Sequence, residues 1–288
     1  MEVDATLRHE KEASLLDAYF TEYKVAPDWA FPIAPPIPFV GDQYPSKGGG
    51  VLVYASAENL GYAWPRAMQK WDRDTWQVHV EQKAEDWPWF SSIEDQMCRS
   101  RLMYKNRSEG SLVHIEPINN GSLLLAARHA LLQLEPASNF PDNAKGFLNH
   151  VAVANPGKFS IRSKANKDYA SKPKYWPPSL PFILHDLKVL DPVFVILPRT
   201  ILATLNKLSP DIKHLLGQRV VLPNYQITSL VVRRTIKPVL KRKGIPPPPP
   251  FSDPAWPLSR GAERWGMEYY LQWLDVIAKD WKQMPTVS

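Results

Sequence analysis

The chain has one cysteine, Cys98, in 288 residues. A single thiol rules out an intrachain disulfide framework and any zinc site built mainly on cysteine. It fits a reducing, cytoplasmic setting. Apolar runs are short, and none approaches the ~20 residues of a membrane-spanning helix, so no membrane association is expected. The first residues lack the basic start and apolar core of a secretory leader. His114, His129, His150 and His185 do not form a His-Glu-x-x-His metal pattern. No phosphate-cradling glycine loop is found either, because Gly48 to Gly50 precede an apolar run instead of following it. No metal and no nucleotide cofactor are therefore expected. Acidic residues are also in deficit, 29 against 35 Lys and Arg, which gives a net charge of +6. Such a balance favours a polyanionic partner.

What the chain has in excess is proline, 29 residues, and tryptophan, eleven. The prolines imply long, stiffened loops, and the tryptophans supply flat surfaces for packing or for stacking on bases. The content of apolar residues suffices for one large core or two small ones. We read residues 1–288 as a single α/β domain. An N-terminal helix and proline-rich extension (1–47) lead into a core (48–235). A basic loop, a polyproline stretch and a C-terminal helix follow (236–288).

The core is organised around Val51-Leu-Val-Tyr-Ala55, which runs into Ser56-Ala-Glu-Asn-Leu60. A continuous β-branched apolar run is the mark of a parallel strand buried on both faces. Ligands of open α/β sheets bind beyond the carboxyl ends of such strands. The same residues also fit an ordinary turn in which Ser56 or Asn59 caps the next helix. Further strands are expected at His150–Ala154, Pro192–Leu197 and Arg219–Leu222, and at Leu112–Glu116. Helices are expected over 5–23, much of 64–107, 122–134 with Ser122 as N-cap, 198–208 and 262–282. The segment Phe31–Phe39 holds too many prolines for helix or central strand, and is expected to lie extended over the fold. Alternating strands and helices argue for a parallel sheet.

Two basic runs follow strand ends. Lys158–Lys174 carries six Lys or Arg against one Asp, and Arg233–Lys243 carries six and no acid. A charge run is ordinarily a solvated face. Two runs on one edge of a sheet are also what phosphate contacts require.

Taken in order, these strand ends resemble the uracil-DNA glycosylase superfamily. The first motif is Val51 to Leu60, the second is Val151-Ala-Val-Ala-Asn-Pro-Gly-Lys158, and the fourth strand ends in Val221-Leu-Pro-Asn-Tyr-Gln-Ile-Thr-Ser-Leu230. The third strand and its helix, Asp191 to Leu202, are similar to the family's third. The resemblance covers about residues 48–235 and implies a three-layer α/β fold with a central parallel four-stranded sheet. It also implies a monofunctional DNA glycosylase. Such an enzyme flips a nucleotide from the helix and reads its edge in a pocket. The chain departs from the family at specific places. Ala57 stands where the water-positioning aspartate is found, Gln226 where the histidine is, Ile227 for proline and Thr228 for serine. A glutamine can hydrogen-bond a base but cannot carry positive charge. These changes point from uracil towards another or modified base. Some superfamily members act in defence against phages with modified cytosines.

Cleavage of the glycosidic bond leaves positive charge on the sugar and negative charge on the departing base. Glu58, the only carboxylate of the first motif, suits the sugar and the attacking water, with Asn59 beside it. Gln226 suits the base as a neutral donor. Asn155 matches the base-reading asparagine, and Ser56, Tyr62 and Thr228 complete the expected pocket. Each has a plainer alternative: Glu58 as a first-turn helix residue, Asn155 as a turn residue before Pro156, and Tyr62 as core. Lys158, Arg162, Lys164, Arg233, Arg234, Lys241, Arg242 and Lys243 are the expected phosphate contacts. Two rival readings remain open. One is a DNA-binding protein that senses a base without cutting, and the other is a small-molecule α/β enzyme with incidental basic loops.

Overall fold

The computed structural model describes residues 10–45, 49–55, 92–105, 121–134, 140–141, 144–161, 172–224, 232–247, 269 and 272–276. Its centre is a mixed five-stranded sheet. The strands are β1 (Phe39–Val40), β2 (Val51–Tyr54), β3 (Val151–Ala154), β4 (Phe194–Pro198) and β5 (Val220–Asn224). They lie in the order β1-β3-β2-β4-β5. The last four are mutually parallel, and only β1 runs antiparallel, pairing Phe39 with Val153 on the edge. The expected four parallel strands are therefore present, with an antiparallel addition that sequence did not show. Every residue of β2 and β3 is buried, because helices cover both faces of the sheet.

The two faces follow the strand period of two. Val51, Val53, Val151, Val153, Phe194, Ile196 and Leu222 point to one side. There they meet α3 (Gly121–Leu134), α4 (Ala144–Leu148), Ile236, Leu240, Tyr269 and Trp273. Leu52, Tyr54, Ala152, Ala154, Val195 and Leu197 point to the other. That side is covered by α1 (Glu10–Glu22), α5 (Leu180–Leu190), α6 (Arg199–Leu208) and α7 (Pro210–Gly217), with Met97 from α2 (Ile93–Lys105). The segment after α1 lies across this second layer, with Ala30, Ile33, Ala34 and Ile37 buried.

Several expectations shift by a residue or two. In α1, Leu15, Leu16 and Tyr19 are buried as the stripe requires, but Phe20 is 42% exposed. Helix α3 begins at Gly121, so Ser122 lies inside it. Helices α5 and α7 had no place in the sequence reading. Helix α7 opens with the side chain of Ser209 accepting from the Ile212 amide at 3.2 Å, and with proline in its first turn. Helix α5 ends at Asp191 in the left-handed region, φ 44°. The amine of Lys11 donates to the Val189 and Leu190 carbonyls at 3.0 Å each. Arg219 donates to the Leu187 carbonyl and to Asp191. Two cations thus satisfy the orphan carbonyls at the negative end of α5. The expected strand at 112–116 lies outside the described residues, as does most of the expected helix of 64–107. Among the described residues, no helix is long and apolar enough to cross a membrane.

Gly41 marks the point where β1 leaves the sheet against α4. A Cβ there would sit 2.2 Å from the Leu148 carbonyl oxygen and 2.3 Å from that of Asn149, and backbone cannot step aside as a side chain can. Gly217, at the end of α7, has open space around it. Gly41→Ala is expected to destabilise the fold by about 1–3 kcal/mol through overpacking. Gly217→Ala should be neutral or stabilising by up to about 1 kcal/mol. Urea midpoints of the two variants would check this pair of opposite signs.

Candidate functional site at the carboxyl edge of the sheet

The parallel strands end together along one edge. Tyr54 pairs with Ala154, and Pro198 with Asn224. The chain passes from β2 to β3 on one side, and then to β4 and β5 on the other. The strand order therefore reverses between β2 and β4, and the crevice beyond their carboxyl ends is where open α/β sheets hold ligands.

Directly beneath that edge lies a buried polar cluster. The Asp186 carboxylate of α5 accepts from the Lys158 amine at 2.6 Å and the Tyr19 hydroxyl at 2.6 Å. It also accepts from the Tyr54 hydroxyl at 3.0 Å. The side chains of Lys158 and Asp186 are wholly buried. The Lys158 ammonium also lies 5.4 Å and 6.0 Å from the ring centres of Tyr19 and Tyr54, within cation–π range. The Lys158 amide donates to the Ser179 hydroxyl. Burial pushes the Asp186 carboxyl above its ordinary value, while Lys158 and the two hydroxyls pull it back. Burial and the neighbouring carboxylate hold both tyrosines well above the usual phenol range, so they remain donors.

This arrangement corrects one expectation. Lys158 is not a surface contact for phosphate, because its charge is spent inside the protein on Asp186. The signal was present on both partners. Lys158 is followed by Phe159 and Ile161, both buried. Asp186 occupies the apolar stripe of α5 between Ile183, Leu187 and Leu190, all fully buried. A carboxylate in such a stripe requires a buried donor.

Asn155 is the first residue past β3 and is half-buried at the edge. The chain beyond it is held flat. The Phe31 amide donates to the Ser160 carbonyl at 2.9 Å, and Ala30 bridges to Ile161. Ser56, Glu58, Asn59, Tyr62, Arg162, Lys164, Gln226 and Thr228 lie outside the described residues.

The second basic run is not a loop. Val232–Ile236 forms one wide helical turn, and Lys237–Arg242 continues it as α8. Proline at position 238 stands where the wide turn passes into α8. Ile236 and Leu240 are buried against the sheet, which turns Arg234, Lys241 and Arg242 outwards, all three exposed. Arg233 belongs to the same turn, and Lys243 is exposed just past the helix. Lys237 lies over the Tyr269 ring at 4.5 Å. Arg234, Lys241 and Arg242 line a cleft of about 660 Å³ together with Arg199, Thr235, Pro238, Val239 and Trp273. Arg199 opens α6 directly after β4, so this cleft adjoins the carboxyl edge. The amino end of α6 adds its own positive field. Among the described residues, four cations and no carboxylate line the cleft. Arg199 and Trp273 were not among the expected contacts, because only the fold brings them beside α8. Among the described residues, no group of three His, Cys, Asp or Glu side chains is placed to hold a metal ion.

The buried pair gives a pH-dependent test. Lys158→Met leaves Asp186 without its cation, so its carboxyl rises further and takes up a proton in the folded state. The unfolded chain releases that proton above about pH 3.9. Where the folded state binds more protons, stability falls as pH rises. The variant should therefore lose least near pH 4 and progressively more towards neutral pH, reaching about 3–5 kcal/mol. Urea titrations across that range would show it, and a loss independent of pH would contradict the assignment.

Against known proteins, the chain matches no family model, no curated protein and no solved structure.

Proposed function

We propose that this protein binds DNA along the carboxyl edge of its sheet, draws one base out of the helix and hydrolyses its N-glycosidic bond. The observation that carries this reading is the cleft beside β4, lined among the described residues by four cations and no acid. A surface of that charge at the ligand-binding edge of a parallel sheet suits a sugar–phosphate backbone. The four parallel strands, with motif residues at the ends of three of them, support a sheet of the uracil-DNA glycosylase kind within the observed five.

In this reading Asn155 meets the edge of the extruded base with an amide that offers donor and acceptor together. Glu58 is the residue assigned to stabilise the charge that develops on the sugar and to take a proton from the attacking water. The water oxygen bonds to the sugar carbon as the carbon–nitrogen bond breaks, and the bonding pair leaves with the base. Gln226 donates to the base as it acquires that charge. Asn59, Ser56, Tyr62 and Thr228 are the further residues this reading assigns to the base. With Gln226 in place of a histidine, a modified base fits better than uracil. Ala57 and Gln226 together also favour a second reading, a protein that senses an altered base without excising it. Excision leaves alkali-labile sites in the DNA, and sensing leaves none.

DNA affinity should fall steeply with salt, because cations that neutralise phosphates release bound counterions. Reversing charge at Arg234, Lys241 and Arg242 together should make the logarithmic salt slope shallower by about 2–3. Base preference should be unchanged, since phosphate contacts carry no sequence information. Fluorescence anisotropy at several salt concentrations would check this. An unaltered slope would make these residues ordinary solvated surface.

A further inference from the structure

We propose that the cleft beside α8 takes an unpaired stretch of strand, so that the protein prefers DNA with a local single-stranded gap over intact duplex. This rests on the DNA-binding reading above and adds the form of the substrate. The cleft is an open one of about 660 Å³, roomy enough to admit a nucleotide-sized group. Its lining has two kinds of surface. Arg199, Arg234, Lys241 and Arg242 supply charge, while Pro238, Val239 and the buried Trp273 supply an apolar wall.

Duplex DNA offers a protein a convex backbone with its bases stacked inside. Such a rod reaches the charged residues of a concave cleft and leaves the apolar wall unused. An unpaired strand fills both, with its phosphates on the cations and a sugar or base edge against the apolar wall. Charged grooves with apolar or aromatic surfaces are how proteins hold single strands without reading sequence. The cations are also well disposed for a flexible partner. Among the described residues, no carboxylate pairs with Arg234, Lys241 or Arg242. Their attraction therefore remains available to phosphate.

The test uses the full chain and three probes: an intact duplex, the same duplex with a gap of a few nucleotides, and a free mononucleotide as competitor. Wild type should bind the gapped duplex at least about tenfold more tightly than the intact one. Pro238→Trp fills the cleft from an exposed position. It should abolish the preference by bringing gapped-duplex affinity down to that of intact duplex, with the melting temperature unchanged. If that variant does not fold, Val239→Ser, in the apolar wall, should weaken gapped-duplex binding more than intact-duplex binding. Equal affinity for the two duplexes, with salt-dependent binding retained, would overturn this inference and leave the DNA-binding reading standing. So would a preference that survives the filled cleft. A mononucleotide that competes as well as an oligonucleotide would reassign the cleft to a small ligand. Binding of neither duplex would overturn both readings together.

Discussion

The rest of the structure hangs on one carboxylate. Asp186 joins four separately placed pieces of chain: α1 through Tyr19, the end of β2 through Tyr54, the segment after β3 through Lys158, and its own helix α5. Burying either charge alone would cost several kcal/mol, and their attraction offsets this only with good geometry and satisfied lone pairs. Here one short ion pair and two hydroxyl donors meet that demand. The pair is not by itself a reason for high stability. Its consequence is positional: the two central strands can end in only one arrangement relative to α5, which fixes the floor of the crevice above them.

The basic residues divide by fate. Lys11 and Arg219 close the end of α5, Lys158 compensates Asp186, and Lys237 lies over an aromatic ring. These cations hold the protein together. Arg234, Lys241 and Arg242 face outwards beside Arg199 because Ile236 and Leu240, on the opposite side of the same helical stretch, are buried. Net charge alone does not separate the two groups. Burial does: it leaves Lys241 and Arg242 of α8 exposed and takes Lys158 inside the protein.

The parallel strands were legible because their signal is strong and local. Val51–Tyr54 and Val151–Ala154 are continuous apolar runs, as burial on both faces demands. The edge strand β1 was not, since two residues following a proline carry no periodicity and are a strand only because β3 lies beside them. Helix α5 was hidden by its preceding prolines and by Asp186, whose charge breaks an otherwise apolar stripe. The 233–243 run was read as a loop because charge and Pro238 outweighed Ile236 and Leu240, the two residues that anchor it. For the candidate site, sequence identified Asn155 at its strand end and the α8 cations. It missed Arg199 and Trp273, which come from distant segments, and it misplaced Lys158, whose partner is 28 residues away.

The central claim is that this edge performs glycosidic chemistry on DNA. The most direct measurement is single-turnover incubation with a panel of DNAs carrying unmodified and modified bases, followed by mass analysis of free bases. The same incubation would be run with Glu58→Gln. The account predicts release of one class of modified base by the wild type. It also predicts a rate lower by about 10²–10⁴-fold in the variant, with DNA binding retained. Undiminished release by the variant, or no base released from any DNA that the protein binds, would contradict it.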